Sequence, residues 1–88
     1  MIIALDYDDT YTEDPEGWDA VVKLLEGRGH KFICVTMRYE SEPIVIGVDC
    51  MIYYTGRRAK ITWLVENGVP LPDVWIDDRP NFVFTDAK

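Results

Sequence analysis

The sequence has no long apolar run and only two cysteines. Its uninterrupted apolar stretches, Met1–Leu5 among them, are no longer than five residues, far shorter than the roughly 20 residues of a membrane-spanning helix. No basic segment precedes a long apolar stretch, so the sequence predicts neither a membrane partner nor a signal peptide. Cys34 and Cys50 lie inside apolar segments. They are predicted to be reduced core residues of a cytoplasmic protein, and one disulfide between them is the alternative.

Basic residues are scarce as well. Nine lysines and arginines stand against sixteen acids, which gives a net charge of −7. A field of this sign disfavours nonspecific binding to nucleic acid or to an anionic membrane, so an anionic ligand would need a local basic site. The chain also has no repeats, low-complexity tracts or linkers, and its 88 residues fit one domain, residues 1–88.

The sequence does contain an alternation of apolar strands and amphipathic helices. Apolar runs predict four strands, at Ile2–Leu5, Phe32–Val35, Met51–Tyr54 and Val74–Ile76. One helix is predicted to begin after Asp14 and to end at Gly27, and a second to span Arg58–Asn67. Alternation of this kind predicts right-handed βαβ units. The expected fold class is α/β, a three-layer α/β/α sandwich with a small parallel, Rossmann-like sheet.

Two segments are less regular. Arg38–Gly47 is either a loop or a short helix opened by Pro43, and we favour the helix. Phe82–Phe84 is a candidate for a short edge strand.

Polar and charged residues follow every predicted strand. They are Asp6 and Asp8, then Thr36 and Arg38, then Thr55, Arg57, Arg58 and Lys60, then Asp77, Asp78 and Arg79. Each residue alone is more often a turn, a cap or a solvated side chain than part of a functional site. Together they would meet at one edge, because ligands of open parallel sheets bind at the carboxyl ends of the strands. Converging acids favour a divalent cation, most commonly Mg²⁺, and the five bases around them suit a phosphate group.

The same residues resemble the motifs of the haloacid dehalogenase-like (HAD) superfamily. The segment Ile2–Thr10, IIALDYDDT, is similar to the first motif, hhhhDxDxT. Phe32–Thr36 is similar to the second motif, an apolar strand that ends in Thr or Ser, and Lys60 to the lone lysine of the third. Val74–Asp78 is similar to the fourth, a strand that ends in paired acids. The four motifs span residues 2–78, nearly the whole chain.

The resemblance implies catalytic roles for four residues. Asp6 would be the nucleophile that forms an aspartyl-phosphate. Asp8 would be the general acid and base, and its backbone carbonyl would bind Mg²⁺. Thr36 and Lys60 would hold phosphoryl oxygens, and Lys60 would also balance the charge of the carboxylates.

The resemblance also implies metal-binding and substrate-binding residues. Asp77–Pro80 resembles the Asp-Asn-Ser-Pro ending of small C-terminal-domain phosphatases and the Asp-Asp-Arg of phage-type polynucleotide kinase-phosphatases. We favour Asp78 as the direct metal ligand and Asp77 as the partner of Lys60, and the reverse assignment stays open. The implied metal-binding residues are Asp6, Asp8, Asp77 and Asp78. The implied contacts to the substrate are Thr10, Arg38 and Arg79.

The chain has no room for the cap domain of larger members of the superfamily. Neither the segment between Asp8 and Pro15 nor that between Thr36 and Lys60 is long enough to hold one. The resemblance therefore implies a minimal, capless, Mg²⁺-dependent phosphohydrolase with an open site. Its partner would be a phosphorylated substrate, with bulky or macromolecular substrates and polynucleotide ends included. The alternative is a non-catalytic or regulatory domain that binds phosphate or metal.

Overall fold

A computed structural model describes all 88 residues and contains four strands and three helices. The strands are β1 (Ile2–Leu5), β2 (Lys31–Thr36), β3 (Met51–Tyr54) and β4 (Val74–Ile76). The helices are α1 (Pro15–Glu26), α2 (Lys60–Glu66) and α3 (Asn81–Phe84), and a 3-10 turn covers Tyr11–Glu13. The predicted strands and the first helix are confirmed, and the second helix begins two residues later than predicted. None of the helices combines the length and the apolar character that crossing a membrane requires.

All strands of the sheet are parallel and follow the order β3-β2-β1-β4. Leu5 of β1 is level with Cys34 of β2 on one side and with Ile76 of β4 on the other. The chain passes from β1 to β2 and β3 in one direction and then returns across β1 to β4, so the strand order reverses between β1 and β4. Ligands of open α/β sheets bind in the crevice at such a reversal.

Helices cover both faces of the sheet, because successive strand residues point to opposite sides. One face packs against α1 through a cluster made of Ile3, Leu5, Tyr11, Val22 and Phe32. The other packs against α2 through Ala4, Ile33, Val35 and Leu64, and α3 packs beside α2. The expected α/β class with a parallel sheet is thereby confirmed, and the helices on both faces give three layers. Both cysteines are free thiols.

Helix α1 begins where the sequence predicts. The carboxylate of Asp14 accepts the backbone N–H of Gly17 at 3.1 Å. Pro15 occupies the first helical position, where a backbone N–H has no partner within the helix in any case.

The segment Arg38–Gly47 contains no helix, so the prediction of a short helix there is wrong. Pro43 has no N–H to donate, and side chains rather than a helical ladder take up neighbouring backbone groups. The Glu42 carboxylate accepts the N–H of Tyr39 at 3.0 Å. The Tyr54 hydroxyl accepts the N–H of Ile44 at 3.2 Å.

The prediction of an edge strand at Phe82–Phe84 is also wrong, because these residues belong to α3. Pro80 precedes the helix with a φ of −63°, a value that suits a helix start. Val83 is only 2% exposed, whereas Phe84 is 69% exposed. A single helical turn places Val83 in the core next to α2 without burying both phenylalanines.

Candidate active site

The turn after β1 brings Thr10 back beside Asp6. The N–H of Asp6 donates to the carbonyl of Ile76 at 3.0 Å, so Asp6 leaves the sheet next to the end of β4. Asp9 has a φ of +60°, a left-handed conformation that Asp adopts more readily than most residues. Its N–H donates to Thr12 Oγ1 at 2.9 Å. With the turn closed in this way, Thr10 Oγ1 lies 3.0 Å from Asp6 Oδ2.

Lys60 is buried and connects two acids. Its side chain is 3% exposed, and Nζ lies 2.8 Å from Asp6 Oδ1 and 2.6 Å from Asp77 Oδ2. The side chains of both acids are buried as well. Buried charges persist only when they are paired and hydrogen-bonded, and here one cation serves two carboxylates. Asp77 is the predicted partner of Lys60, and these two side chains are in contact.

Thr10 connects Asp6 to Asp78. Its hydroxyl oxygen lies 3.1 Å from Asp78 Oδ1 and accepts the backbone N–H of Asp78 at 3.2 Å. A hydroxyl has one hydrogen, so Thr10 donates to only one of the two carboxylates at a time. Thr10 is a predicted substrate contact, and in the structure its hydroxyl lies between two acids.

Asp6, Asp77 and Asp78 form one acidic cluster. One carboxylate oxygen from each of the three residues lies within 4.8 Å of those from the other two. Lys60 pairs with Asp6 and Asp77, and the exposed Arg79 lies 4.0 Å from Asp78, so two positive charges face three carboxylates and the cluster is short of positive charge. Carboxylate oxygens of this kind are the ligands that Mg²⁺ prefers. The side chain of Asp8, which was counted among the metal-binding residues, is not part of the cluster.

The environment of Asp6 raises the pKa of its carboxyl group. Burial raises the pKa of Asp6 to about 6, although the contact with Lys60 works in the opposite direction, and the charge of Asp77 adds to the rise. A carboxyl group in a cleft with a pKa close to neutrality is typical of functional sites.

Asp8 lies at the exposed rim, where Arg38 binds it with two hydrogen bonds. Arg38 Nη2 is 2.7 Å from Asp8 Oδ1, and Nε is 2.9 Å from Oδ2. These hydrogen bonds lower the pKa of Asp8. The backbone N–H of Arg38 donates to Thr36 Oγ1 at 3.3 Å. Asp8, the predicted acid and base, and Arg38, a predicted phosphate contact, therefore form an ion pair with each other.

A cleft of about 360 Å³ brings the predicted residues together at the carboxyl ends of the strands. The predicted site residues that line it are Asp6, Asp8, Thr36, Arg38, Lys60, Asp77, Asp78 and Arg79. Thr10 is the one predicted site residue that does not line the cleft. Arg57 lines it as well, whereas Arg58 pairs with Glu66 outside it.

Five other residues line the cleft although the sequence did not predict them there: Asp9, Met37, Phe82, Ala87 and Lys88. The last two reach the cleft because their segment is bound to the start of α2. Asp86 Oδ1 accepts the N–H of Ala59 at 2.6 Å. The N–H of Ala87 donates to the carbonyl of Arg57 at 2.8 Å. The residue before helix α2, Ala59, has no side chain that could cap the helix, so the distant Asp86 takes this role. Acids are too common in the sequence for one of them to be identified in advance as this cap.

The cleft differs in charge from the rest of the molecule. It contains five of the nine basic residues and five of the sixteen acids. The whole net charge of −7 therefore lies outside it. The cleft is therefore the part of the molecule in which basic side chains balance the acids.

In comparisons with protein-family models, with curated proteins and with solved structures, nothing matched the chain.

Proposed function

We propose that this chain is a Mg²⁺-dependent phosphohydrolase of the HAD-like type that acts through an aspartyl-phosphate on Asp6. The observation that supports this most is the position of Asp6. Its buried carboxylate lines a cleft that holds an acidic cluster for a cation and, next to it, basic side chains for a phosphate. The resemblance of the four sequence motifs to those of HAD phosphatases supports the same function.

The donor set fits Mg²⁺. Asp6 and Asp78 would hold the ion through their side chains and Asp8 through its backbone carbonyl, which accepts no hydrogen bond from the rest of the turn. Asp78 is the better direct ligand of the paired acids, because both oxygens of Asp77 already accept hydrogen bonds, from Lys60 and from the N–H of Arg79. When bound, the ion would offset the charge of the carboxylates and of the substrate phosphate.

The side chains of the cleft supply the remaining steps. Asp6 attacks phosphorus and forms the new O–P bond, while the bond to the leaving oxygen breaks and Asp8 gives that oxygen a proton. Asp8 then takes a proton from the water that attacks the phosphoryl group, which releases phosphate and restores the Asp6 carboxylate. The Thr36 hydroxyl and Lys60 Nζ hold the phosphoryl oxygens as charge develops on them.

The substrate we propose is a phosphate ester on a group large enough to remain partly outside the protein, a polynucleotide end included. The rim of the cleft supports this, because the side chains of Asp8 and Arg79 are 49% and 67% exposed. We assign the protein to the cytoplasm, where the free thiols of Cys34 and Cys50 would stay reduced.

One observation favours the alternative of a non-catalytic domain that binds phosphate or metal. Asp8, which the reaction needs as acid and base, is engaged by Arg38. A domain that only binds phosphate or metal does not need an Asp8 side chain that is free to exchange protons.

Hydrolysis of an aryl phosphate with Mg²⁺ or with excess chelator tests the proposal. The wild type should hydrolyse the ester only with Mg²⁺, and Asp6→Asn should lose at least about 10³-fold, as expected for a covalent nucleophile. Asp9→Asn is the matched control, because it makes the same chemical change on an acid of the same cleft. It should stay within a few-fold of the wild type. A parallel series of nucleotides, sugar phosphates and end-phosphorylated oligonucleotides would identify the substrate class.

Three results would count against the proposal. Full activity in chelator would refute the metal requirement. More than a tenth of the wild-type activity in Asp6→Asn would refute the nucleophile. Binding of Mg²⁺ and inorganic phosphate without hydrolysis of any ester would favour the non-catalytic domain.

A further inference from the structure

The contact between Arg38 and Asp8 engages both side chains that the proposed reaction needs. Nε and Nη2 of Arg38 donate to the two different oxygens of Asp8. While this contact lasts, the same two donors cannot hold a phosphoryl group. Asp8, for its part, cannot turn towards a leaving oxygen. If Asp8 is the acid and base of the reaction, this contact must open before the reaction begins.

The Arg38 guanidinium can turn from Asp8 towards the interior of the cleft while its backbone and its contact with Tyr7 stay in place. Its backbone is tied to the end of β2, where Thr36 Oγ1 accepts its N–H at 3.3 Å. The guanidinium carbon lies 5.2 Å from the centre of the Tyr7 ring, in a cation–π contact. A guanidinium that rests on a ring face can rotate over it and keep that contact.

The Tyr7 ring is a fixed platform for this movement. It stacks on the ring of Tyr11, with centroids 5.7 Å apart and an angle of 18° between the planes. Tyr11 is buried, its hydroxyl donates to Asp19 Oδ1 at 2.7 Å, and the same hydroxyl accepts the N–H of Gly47 at 2.9 Å. The surface beneath Arg38 is thus anchored in the core while its other partner, Asp8, is on a rim.

A phosphoryl group is the stronger partner for the guanidinium. The side chains of Arg38 and Asp8 are 31% and 49% exposed, and pairs this open to solvent are weak. A phosphate dianion carries twice the charge of a carboxylate and offers three oxygens to the same planar pair of donors. Exchange of one anion for the other keeps the guanidinium paired.

We infer that Arg38 is a substrate-operated clamp. In the free protein it holds the Asp8 carboxylate, and when a phosphorylated ligand enters, it turns to the phosphoryl oxygens. The released Asp8 then takes up a proton from solvent, gives that proton to the leaving oxygen, and afterwards takes one from the attacking water. This inference rests on the proposed function, and it concerns how that function is switched on. It also accounts for the one observation that favoured a non-catalytic domain.

Binding of inorganic phosphate in the presence of Mg²⁺, measured by calorimetry, tests the clamp. The proteins are the wild type, Asp8→Asn, Asp9→Asn, Arg38→Met and the double variant of Asp8 and Arg38. Asp8→Asn should bind phosphate about threefold to fivefold more tightly, because Arg38 no longer has a competing partner. Asp9→Asn removes the same charge from the same cleft without touching Arg38, and it should gain at most about twofold from simple electrostatics.

The double variant separates the clamp from general electrostatics. In the Arg38→Met background, Asp8→Asn should gain no more than Asp9→Asn does. The inference is overturned if Asp8→Asn and Asp9→Asn gain equally with Arg38 present, if the gain of Asp8→Asn survives without Arg38, or if none of the proteins binds phosphate. Thermal unfolding curves like that of the wild type show that each variant is folded.

Failure of the clamp and failure of the proposed function give different results. Coupled phosphate binding without hydrolysis of any ester would support the clamp and refute the phosphohydrolase. Hydrolysis without coupling between Asp8 and Arg38 would support the phosphohydrolase and refute the clamp.

Discussion

Replacement of Asp6 by Asn should make the protein more stable at neutral pH when no divalent cation is present. Asp6 and Asp77 are both buried and share the single charge of Lys60. The Asn side chain keeps an oxygen that accepts from Lys60 Nζ, and it leaves Lys60 and Asp77 as a balanced pair. A residue proposed to be essential for catalysis is thus expected to lower the stability of the fold.

The size of the effect follows from the pKa of Asp6, which burial raises from 3.8 to about 6. The folded state then binds the proton more tightly than the unfolded state does. Below about pH 4 both states are protonated and Asp6 costs nothing; the cost grows between pH 4 and pH 6 and is complete above that range. The difference between a pKa of 3.8 and one of about 6 corresponds to roughly 3 kcal/mol, a large part of the stability of a domain of this size.

Denaturant unfolding in chelator at several pH values between 4 and 8 measures this difference. The free energy of unfolding of Asp6→Asn should exceed that of the wild type by about 3 kcal/mol at pH 7.5, and the two should converge near pH 4. Asp9→Asn, at an exposed position, should match the wild type throughout. A variant less stable than the wild type at pH 7.5, or a difference that does not change with pH, would show that Lys60 fully offsets the burial of Asp6.

Other parts of the structure make three further predictions. Asp86→Ala removes the carboxylate that accepts the N–H of Ala59 and should lower the free energy of unfolding by about 1 kcal/mol in a urea titration; an unchanged midpoint would argue against this cap. Gly47→Ala should cost about 1–3 kcal/mol in the same assay, because its Cβ would overlap the Asp19 carboxylate, and the cost should fall in an Asp19→Ala background. Mg²⁺ at 100 times its Kd should stabilise the wild type by about 2.7 kcal/mol and so raise its melting temperature, and Asp78→Asn should abolish most of that rise. An equal rise in both proteins would show that Asp78 is not a metal ligand.

The elements that were predicted correctly carry strong local signals. The four strands are short apolar runs bounded by polar residues, a pattern that depends only on burial of both faces of a parallel sheet. Helix α1 has a capping acid, Asp14, followed by Pro15 at its first position. The convergence of Asp6 and Asp77 at one edge follows from the parallel direction of β1 and β4, which the βαβ alternation implies.

The elements that were predicted wrongly depend on contacts between distant residues. The apolar triplet Phe82–Phe84 fits a strand or a single helical turn equally well, and burial of Val83 beside α2 decides between them. The irregular course of Arg38–Gly47 depends on side chains that take up its backbone groups, among them the hydroxyl of Tyr54.

Most of the pairing within the site, the contact of Lys60 with Asp77 excepted, was also beyond prediction from sequence. Arg38 and Asp8 lie 30 positions apart, and Asp86 lies 27 positions from the N–H that it caps. No periodicity or spacing distinguishes such a pair from any other arginine and acid. Residue types at strand ends therefore predicted which side chains meet, but, apart from the Lys60–Asp77 pair that the resemblance implied, not which of them bind one another.

Trapping of a phosphoryl group on Asp6 tests the central claim most directly. Asp8→Asn keeps the nucleophile and lacks the base that the second step needs. Mixed with an aryl phosphate and Mg²⁺, this variant should release phenol in a burst stoichiometric with the protein, and peptide mass spectrometry should locate one phosphoryl group on Asp6. A wild-type protein that hydrolyses the ester while Asp8→Asn shows neither a burst nor a phosphorylated Asp6 would contradict the aspartyl-phosphate mechanism.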